Sequence, residues 1–522
     1  MVCGTASDVG KSRLVTGTCR ALRRRGLRVA PFKGQNMALN SVVTAEGAEI
    51  GRAQGTQAQA AGVAPEAAMN PVLLKPTGDR RSQVVVLGRP WRELDAAELQ
   101  RVKPELAATV LESLASLRAR HDIVVLEGAG SPAEINLFDG DIVNLGLAVR
   151  AGVPAIVVGD IDRGGVFAHL YGTVALLPPD RRAAVRGFVI NKLRGDPALL
   201  GDAVRVLQRR CGVPTLGVVP YIPDLWLDAE DSLGLGWPAT PGHPAAAPEG
   251  CEVIDVAVVR LPHISNFTDL DPLAAEAGVG VRLVAHAGAL GDPDVVVLPG
   301  SKSTVADLDW LRRRGLDAAI ASSRARGSVV VGVCGGYQML GARIEDPDRV
   351  ESAVPTTEGL GMCDVRTRFL PAKVTRRRSG RGLAQRLPVE GYEIHHGRTE
   401  AAGAVAAWFA LDAPPAGAGG GGGAGAGGGG AGGGGAGGAE AEGVADESGG
   451  VYGTALHGVF ESDAFRAAFL QVVAERRSKR WEPSGISYGG LRERQIDRLA
   501  DACERHLDLD ALLAIAAEAA GP

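Results

Sequence analysis

A phosphate-binding loop near the start of the chain limits its fold more than any other feature. The segment GTASDVGKS, residues 4–12, follows a short apolar stub and precedes a helix-forming run that begins at Lys11. In such loops glycine lets backbone N–H groups approach phosphates, lysine neutralises charge and the hydroxyl binds Mg²⁺. Five residues rather than four separate Gly4 from Gly10, a lengthened variant that predicts a strand, a loop and a helix around ATP. The predicted ATP-binding residues are Thr5, Gly10, Lys11 and Ser12, with Ser12 also a ligand of Mg²⁺.

Apolar runs of strand type alternate with helical patterns through the first half of the chain. Strands are predicted at residues 28–32, 83–87, 122–126, 154–158, 187–190 and 215–219. Helices are predicted from residue 11 to about residue 25 and from about residue 93 to residue 118. This alternation is typical of a parallel sheet covered by helices on both faces.

Polar residues follow several of these strands, at the sheet edge where ligands of α/β proteins collect. Glu127 ends the strand at residues 122–126 and is predicted to hold Mg²⁺, although a turn acid has the same sequence pattern. Asn191 follows another strand, where an amide side chain suits the adenine edge of ATP. Metal, substrate and salt-bridge roles stay open for Asp160, Asp162 and Arg163. A polar loop that suits substrate or phosphate contains Lys33, Gln35 and Asn36.

The segment VVVGVCGGYQML, residues 329–340, presents a cysteine on a tight turn between a strand and a helix. Gly332 and Gly336 leave no side chains to obstruct such a turn, so Cys334 is thrust out at the start of the helix. A thiol in this position is a nucleophile for acyl transfer. The N–H group of Gly335 is predicted to point to the place where an oxyanion forms.

The same half of the chain holds a candidate base and a second oxyanion donor. Gly300, in VVVLPGSKST, lies in a loop after an apolar strand and is the second predicted donor. His457, in YGTALHGVF, is predicted to take the cysteine proton and return it to the leaving ammonia. His395 and His396, in GYEIHHGR, are the internal rivals for this role.

With 522 residues, the chain is too long for a single core, so two or more domains are expected. A second α/β alternation begins near residue 253, with strands predicted at residues 253–260, 295–298 and 328–333. The predicted parts are an ATP-dependent domain at 1–234, a linker at 235–252, a glutaminase domain at 253–500 and a helical tail at 501–522. Residues 417–438 contain 17 glycines among 22 positions, so a disordered insertion is expected at about 412–449.

Composition excludes several classes of protein. A net charge of −4 argues against a dedicated nucleic-acid binder, which is usually basic. The seven cysteines are scattered without a C-x-x-C pair, so neither a disulfide framework nor a zinc cluster is expected. This cysteine pattern, together with the lack of a leader sequence, predicts a cytoplasmic protein. No apolar run is long enough for a membrane span, and a homo-oligomer is left open.

The chain resembles the cobyric acid synthase family along nearly its whole length apart from the glycine tract. In the first half the resemblance rests on GTASDVGKS, APFKGQNMALNS, EIGRAQGTQAQAAG, MNPVLLKPTGD, LEGAGSPAEINL, VVGDIDRGGVFA and FVINKLRGD. In the second half it rests on LPHISNFTDLDPL, LPGSKST, GVCGGYQMLG, GYEIHHGRT and ALHGVFES. So many blocks in the same order make chance agreement implausible.

The resemblance implies a fold and a reaction. The first domain is expected to share the fold of dethiobiotin synthetase, and the second that of class I glutamine amidotransferases. The implied reaction is amidation of the b, d, e and g carboxylates of adenosylcobyrinic acid a,c-diamide, a corrinoid, with ATP, Mg²⁺ and L-glutamine. Cys334 and His457 match the nucleophile and the histidine of the family.

The chain departs from the usual glutaminase pattern at one position. Ordinary class I glutaminases place an acid two residues after the histidine, where this chain has Val459. A Cys–His dyad is therefore expected, with Glu461 as a candidate orienting acid. Four different functions compete with the one that the resemblance implies: cobyrinic acid a,c-diamide synthase, an amidating enzyme of cell-wall precursors, a partitioning-type ATPase and a catalytically inactive scaffold.

Overall fold

The computed structural model describes residues 1–78, 80–228, 247–403, 405–413, 439–446 and 448–518. The glycine tract at 417–438 lies outside the described residues, so the expected disorder there stays an expectation. The disordered insertion expected at about 412–449 is nevertheless too long, because Glu440–Glu442 and Val444–Ala445 pair as strands with neighbouring segments. Most of the expected linker, residues 235–246, also lies outside them.

The strands and helices of the first half surround the phosphate loop. In chain order the strands are β1 (Val2–Gly4), β2 (Val29–Phe32), β3 (Gln35–Met37), β4 (Ser41–Val43), β5 (Glu49–Gly51), β6 (Val72–Pro76), β7 (Arg81–Val86), β8 (Arg89–Asp95), β9 (Ile123–Leu126), β10 (Ala155–Asp160), β11 (Val185–Leu193) and β12 (Thr215–Pro220). The helices are α1 (Lys11–Arg24), α2 (Arg52–Ala61), α3 (Ala96–Arg120), α4 (Leu145–Ala151), α5 (Val166–Ala175), α6 (Pro179–Ala184) and α7 (Ala203–Cys211).

A parallel sheet forms the centre of this domain, as the alternation predicts. Strands β1, β10, β11 and β12 are neighbours in that order, and β2 pairs with β9. An isolated parallel bridge between Val2 and Glu127 brings β9 alongside β1. The carboxyl ends of these strands therefore meet at one edge, with the phosphate loop between β1 and α1.

Two predictions in this half are wrong in detail. The strand expected at residues 83–87 is β7, which belongs to a separate mixed sheet in the order β3–β6–β7–β8, where both of its neighbours are antiparallel to it. The helix expected from about residue 93 starts at Ala96, because Asp95 caps it and Glu98 completes a capping box. Residues before Asp95 pair in β8 with β7, so tertiary pairing outweighs their helical pattern.

The second half begins at β13 and carries a second parallel sheet. Its strands are β13 (Ile254–Val259), β14 (Val279–Val284), β15 (Val295–Leu298), β16 (Val329–Val333), β17 (Arg343–Glu345), β18 (Thr356–Glu358), β19 (Val365–Gly382), β20 (Pro388–Ala401), β21 (Phe409–Leu411), β22 (Glu440–Glu442), β23 (Val444–Ala445) and β24 (Val451–Thr454). The helices are α8 (Asp271–Ala274), α9 (Thr304–Arg313), α10 (Leu316–Ala325), α11 (Gly335–Leu340), α12 (Asp463–Arg476), α13 (Tyr488–His506) and α14 (Leu509–Glu518).

The order of the second sheet decides which loops become neighbours. It is β14–β13–β15–β16–β24–β23, with only β23 antiparallel to its neighbour. The central strands are rich in valine and buried on both faces, as parallel strands covered by helices are. The loops after β13, β15, β16 and β24 consequently meet at one edge. Strands β19 and β20 form a long antiparallel hairpin beside this sheet.

The C-terminal helices differ from the expected boundaries of the domains. Helix α13, expected to lie mostly inside the glutaminase domain, packs instead against α1 of the first domain. Cys503 approaches Gly17 so closely that an added Cβ there would lie 2.7 Å from its sulfur. The two helices are also tied by ion pairs between Arg24 and Asp497 or Asp501. Among the described residues, no helix combines the length and apolar character that crossing a membrane requires.

Candidate active sites

The phosphate loop joins β1 to α1 in a conformation that only glycine adopts easily. Gly10, immediately before the helix, has φ 99°, and an added Cβ would lie 2.3 Å from the amide nitrogen of Asn191. The ammonium group of Lys11 lies 2.9 Å from the carbonyl oxygen of Ala6 and 3.1 Å from that of Gly130. The Thr5 N–H donates to the carbonyl of Val158 at 2.9 Å, which fixes the loop to β10.

Glu127 and Ser12 meet beside this loop, as the sequence predicts. The Ser12 hydroxyl donates to Oε1 of Glu127 at 2.8 Å, and the Lys33 ammonium lies 3.0 Å from the same oxygen. The Gln57 amide, on α2, donates to the other oxygen at 2.5 Å. Glu127 is 1% exposed, so three donors compensate its burial.

These groups fit a hydrated Mg²⁺ better than a protein-only metal cage. Mg²⁺ is usually held by one or two oxygen side chains together with substrate phosphates and water. The hydroxyl of Ser12 and the carboxylate of Glu127 offer that donor set next to the phosphate loop. The described part of the chain contains no cluster of three or more His, Cys, Asp or Glu side chains suited to a metal ion.

Asn191 and its neighbour brace the loop from β11. The Asn191 amide donates to the carbonyl of Val9 at 2.8 Å, so one end of this side chain supports the loop. The Lys192 ammonium lies 2.6 Å from the carbonyl oxygen of Asp8 and 2.7 Å from a carboxylate oxygen of Asp160. Contact between Asn191 and adenine stays a prediction.

The other polar residues of this edge form ion pairs and amide contacts. Arg194 lies 2.6 Å from Asp162 and lowers the pKa of that carboxyl group through the hydrogen bond. Arg163 is exposed, and its guanidinium lies 3.9 Å from Asp160. Gln35 and Asn36, expected in a loop, lie instead on β3, and the Asn36 amide donates to Gln54 on α2 at 2.9 Å. Of the three roles considered for Asp160, Asp162 and Arg163, the observed contacts therefore favour salt bridges.

Cys334 sits at the strand-to-helix elbow that its flanking glycines predict. Its backbone has φ 50° and ψ −108°, a strained conformation that presents the side chain at the start of α11. An added Cβ at Gly336 would lie 1.9 Å from the carbonyl oxygen of Leu298, so a side chain does not fit there. The Cys334 N–H donates to the carbonyl of Thr454 at 2.7 Å, which ties the elbow to the end of β24.

His457 follows β24 and lies beside Cys334 at this sheet edge. Its Nδ1 lies 2.7 Å from Oδ2 of Asp269, and the Gly458 N–H donates to the other oxygen at 2.8 Å. Burial alone lowers the pKa of His457, but Asp269 and then Cys334 outweigh it and raise the pKa to about 10. The Tyr392 ring stacks on the imidazole with centroids 5.4 Å apart. The site therefore favours an imidazolium next to the thiol.

The structure corrects the expectation of a two-residue Cys–His site. Asp269 orients the imidazole through Nδ1, whereas the carboxylate of Glu461 pairs with Arg52 at 2.7 Å. Asp269 lies in the short 3-10 helix Phe267–Leu270, almost 190 residues before His457 in the chain. It belongs to the block LPHISNFTDLDPL, but nothing in its local sequence marks it as a partner of a distant histidine.

The two predicted oxyanion donors also reach this place. An added Cβ at Gly300 would lie 3.0 Å from Cε1 of His457, so this loop runs directly past the imidazole. An added Cβ at Gly335 would lie 2.8 Å from the backbone nitrogen of Ser301. The loop after β15 and the first turn of α11 are thus in contact beside Cys334.

The rival histidines have other partners. His395 lies 3.5 Å from Glu393, and Nδ1 of His396 lies 3.2 Å from the carbonyl oxygen of Leu370. Burial, with help from nearby lysines, lowers the pKa of His396 to about 4, so this imidazole is neutral at pH 7. The His395–Glu393 contact is longer than the 2.7 Å contact between His457 and Asp269, and the partner of His396 is a backbone carbonyl and not a carboxylate.

Comparison with known proteins supports both halves of this description. Residues 1–233 match the family model of the CobQ/CobB/MinD/ParA nucleotide binding domain, and residues 255–465 match that of the CobB/CobQ-like glutamine amidotransferase domain. The chain is 51% identical over 516 residues to the cobyric acid synthase of Rhodococcus jostii (strain RHA1), covering 98% of this chain and 94% of that protein. It is 51% identical over 515 residues to the cobyric acid synthase of Nocardia farcinica (strain IFM 10152), covering 98% and 95%.

Proposed function

This chain belongs to the cobyric acid synthase family, and on that premise we propose that it amidates the b, d, e and g carboxylates of adenosylcobyrinic acid a,c-diamide. Glutamine supplies the nitrogen and ATP activates each carboxylate. The observation that carries the proposal is one chain holding both a Cys–His–Asp cluster and a phosphate loop with an adjoining acid. The chain is 51% identical to two cobyric acid synthases over 98% of its length. This similarity favours the proposed reaction over a partitioning-type ATPase and over a synthase that acts earlier on the corrinoid.

In the glutaminase half, Cys334 is assigned as the nucleophile. Its thiolate attacks the side-chain amide carbon of glutamine, and a C–S bond forms as negative charge moves to the amide oxygen. The N–H groups of Gly300 and Gly335 are assigned to that oxygen. His457 gives its proton to the leaving nitrogen, the C–N bond breaks, and ammonia and a thioester result. Water then hydrolyses the thioester to glutamate and restores the thiol.

Asp269 is assigned as the positioning residue for His457. Its carboxylate accepts a hydrogen bond from Nδ1 at 2.7 Å, which leaves Nε2 as the nitrogen that serves the thiol and the leaving group. It also stabilises the imidazolium, in agreement with the raised pKa of His457. A single carboxylate thus fixes both the orientation and the charge of the base.

In the nucleotide half, a carboxylate of the corrinoid attacks the γ-phosphate of ATP. The bond between the γ-phosphorus and the oxygen that leaves with ADP breaks, and an acyl phosphate forms. This activation is needed because a carboxylate alone is a poor electrophile. Lys11 is assigned to phosphate charge, and Thr5, Gly10 and Asn191 to the nucleotide. Ser12 and Glu127 are the residues that would hold Mg²⁺, which neutralises phosphate charge when bound. Ammonia attacks the acyl carbon and inorganic phosphate leaves.

Features of the whole chain support the setting of this reaction. All seven cysteines are free thiols, which suits a reducing compartment, and we place the protein in the cytoplasm. A net charge of −4 agrees with a small corrinoid substrate and gives no support for a nucleic-acid or membrane partner. A homo-oligomer stays open.

The decisive test supplies purified protein with ATP, Mg²⁺, glutamine and the a,c-diamide, and follows the corrinoid by mass spectrometry. Four successive amidations are expected. The Cys334→Ser variant should lose glutamine-driven amidation but retain amidation with added ammonium. Glutamine turnover with an unchanged corrinoid would contradict the assigned acceptor. Loss of the ammonium-driven reaction in Cys334→Ser would contradict the division of labour between the two halves.

A further inference from the structure

A closed ring of alternating charges joins the two domains behind the glutaminase histidine. Arg52 lies 2.7 Å from Asp228 and 2.7 Å from Glu461. Arg492 lies 2.9 Å from the same Asp228 and 3.5 Å from the same Glu461. The side chain of Asp228 is fully buried and that of Arg52 is 5% exposed. Two cations and two anions therefore hold one another in a largely dry interior.

The four residues come from separate parts of the chain. Arg52 begins α2 in the nucleotide-binding half, and Asp228 lies just before the undescribed stretch at 229–246. Glu461 ends the short 3-10 helix Val459–Glu461, and Arg492 lies on α13. The ring consequently fixes the start of α2 to the turn that follows the histidine.

The path from the ring to the imidazole is short. Glu461 lies four residues after His457, and the turn between them begins at Gly458 with φ 77°. The Gly458 N–H donates to Asp269, the same carboxylate that holds His457. A shift of Glu461 therefore changes the turn that presents both hydrogen bonds to Asp269.

The middle of α2 reaches the nucleotide site. Gln57, five residues after Arg52, donates through its amide to Glu127 at 2.5 Å. With a rise of about 1.5 Å per residue, the two contacts lie about 8 Å apart along the helix axis. Most residues of α2 are buried, so the helix is held on all sides and transmits displacement instead of absorbing it.

Two buried polar atoms of the ring lack a hydrogen bond, so the ring is not a purely stabilising contact. One oxygen of Asp228, Oδ1, and Nε of Arg492 are buried without a hydrogen-bond partner. Buried ion networks with unsatisfied atoms are often no more stable than apolar packing of the same volume. The contribution of this ring is therefore sought in the geometry that it specifies.

We propose that Arg52 is a positioning residue for His457, and that α2 couples the acid at the nucleotide site to the glutaminase base. This inference rests on the proposed function, because it concerns the coordination of its two half-reactions. Arg52 touches neither glutamine nor the reacting thiol. It acts through Glu461, and Gln57, in the middle of the same helix, is the contact with the nucleotide site.

The experiment compares four single variants of the full-length protein, and adds the Arg52→Gln/Glu461→Gln double variant and Arg52→Lys. Arg52→Gln and Glu461→Gln each remove one partner of the Arg52–Glu461 ion pair. Gln57→Leu removes the hydrogen bond to Glu127. Arg24→Ala is the matched control, because it removes ion pairs between α1 and α13 without touching the ring. Circular dichroism and thermal melting first establish that each variant is folded.

The first readout needs no nucleotide. The rate at which iodoacetamide alkylates Cys334 is measured against pH, since it reports the thiolate that His457 stabilises. Arg52→Gln and Glu461→Gln are each expected to slow alkylation at pH 7 about 10-fold and to move the profile, with the double variant no worse than either single one. Gln57→Leu and Arg24→Ala should retain the wild-type profile.

The second readout is coupling. The ratio of glutamine hydrolysed to corrinoid amide formed is expected to rise several-fold in Arg52→Gln and in Gln57→Leu, and ammonium-driven amidation is expected to persist in Arg52→Gln. Arg52→Lys should restore only part of the coupling, because an ammonium group cannot bridge both acids as a guanidinium does.

Outcomes separate the inference from the function on which it rests. A wild-type alkylation profile and wild-type coupling in folded Arg52→Gln would overturn the inference and leave the proposed function intact. The same changes in Arg24→Ala as in Arg52→Gln would also overturn it, because the effect would then be one of general docking. Absence of amidation in the wild type with glutamine and with ammonium alike would instead refute the proposed function.

Discussion

Replacing Asp269 with asparagine removes the carboxylate from His457 while it keeps the volume of the side chain. In the wild type the pKa of His457 rises from 6.5 to about 10, despite burial, because of Asp269 and Cys334. At about 1.4 kcal/mol per pKa unit, this rise corresponds to roughly 5 kcal/mol of preference for the imidazolium. A hydrogen bond to a charged group contributes about 1.5–3 kcal/mol, so the variant should lose about 2–3 kcal/mol at this step.

A loss of that size sets the expected rate. Each 1.36 kcal/mol changes a rate tenfold, so kcat/KM for glutamine hydrolysis should fall about 30- to 160-fold. The asparagine amide also offers a donor to Nδ1 and so favours the wrong tautomer, which places the loss toward the upper end. Ammonium-driven amidation should be unchanged, since the nucleotide site is not altered.

The assay is glutamate release measured from pH 6 to pH 11 in both proteins. In the wild type the rate of glutamate release should decrease on the alkaline side near pH 10, where His457 loses its proton. In Asp269→Asn this decrease should move to lower pH in addition to the loss of rate. An unchanged alkaline decrease, or a rate within about threefold of wild type, would refute the assignment of Asp269 as the residue that holds the imidazolium. Arg24→Ala is the control, because the Arg24 ion pairs join α1 to α13 and do not involve His457.

Two further predictions follow from the same contacts. Gly336→Ala should lower the free energy of unfolding by about 3 kcal/mol or more, because its Cβ would lie 1.9 Å from the Leu298 carbonyl oxygen; an unchanged melting temperature would contradict the elbow geometry. The folded-state pKa of His457 is raised, so its stabilising contribution is complete below pH 6.5 and is lost as pH rises through about 10. Urea unfolding should therefore show the stability difference between wild type and Asp269→Asn shrinking over that interval, and a constant difference would count against the raised pKa.

The sequence is sufficient to predict a feature where a single short segment determines the backbone conformation of that feature. The glycines around Cys334 predict an elbow because only a residue without Cβ fits against the neighbouring strand. The spacing of Gly10, Lys11 and Ser12 predicts a loop followed by a helix for the same kind of reason. Glu127 is predictable because an acid at the end of a buried strand lies at the edge where the loop begins.

Features that depend on distant pairing leave no such signal. The strand β7 has the alternation of any strand, and its antiparallel partners decide which sheet it joins. Helix α13 is amphipathic in sequence, but only the apolar face of α1 that it covers explains where it docks. Glu461 lies close to His457 in sequence and is a natural candidate, yet an arginine from the other domain holds it.

The sequence by itself determined the two chemistries, since the phosphate loop and the thiol elbow are built from short segments with fixed backbone geometry. Only the tertiary structure decided that Asp269 serves His457 and that Arg52 and Gln57 link the two sites along one helix. The reason is physical. The order of parallel strands brings loops from distant parts of the chain to one edge, and side-chain partners chosen across that edge leave no periodic trace in the sequence.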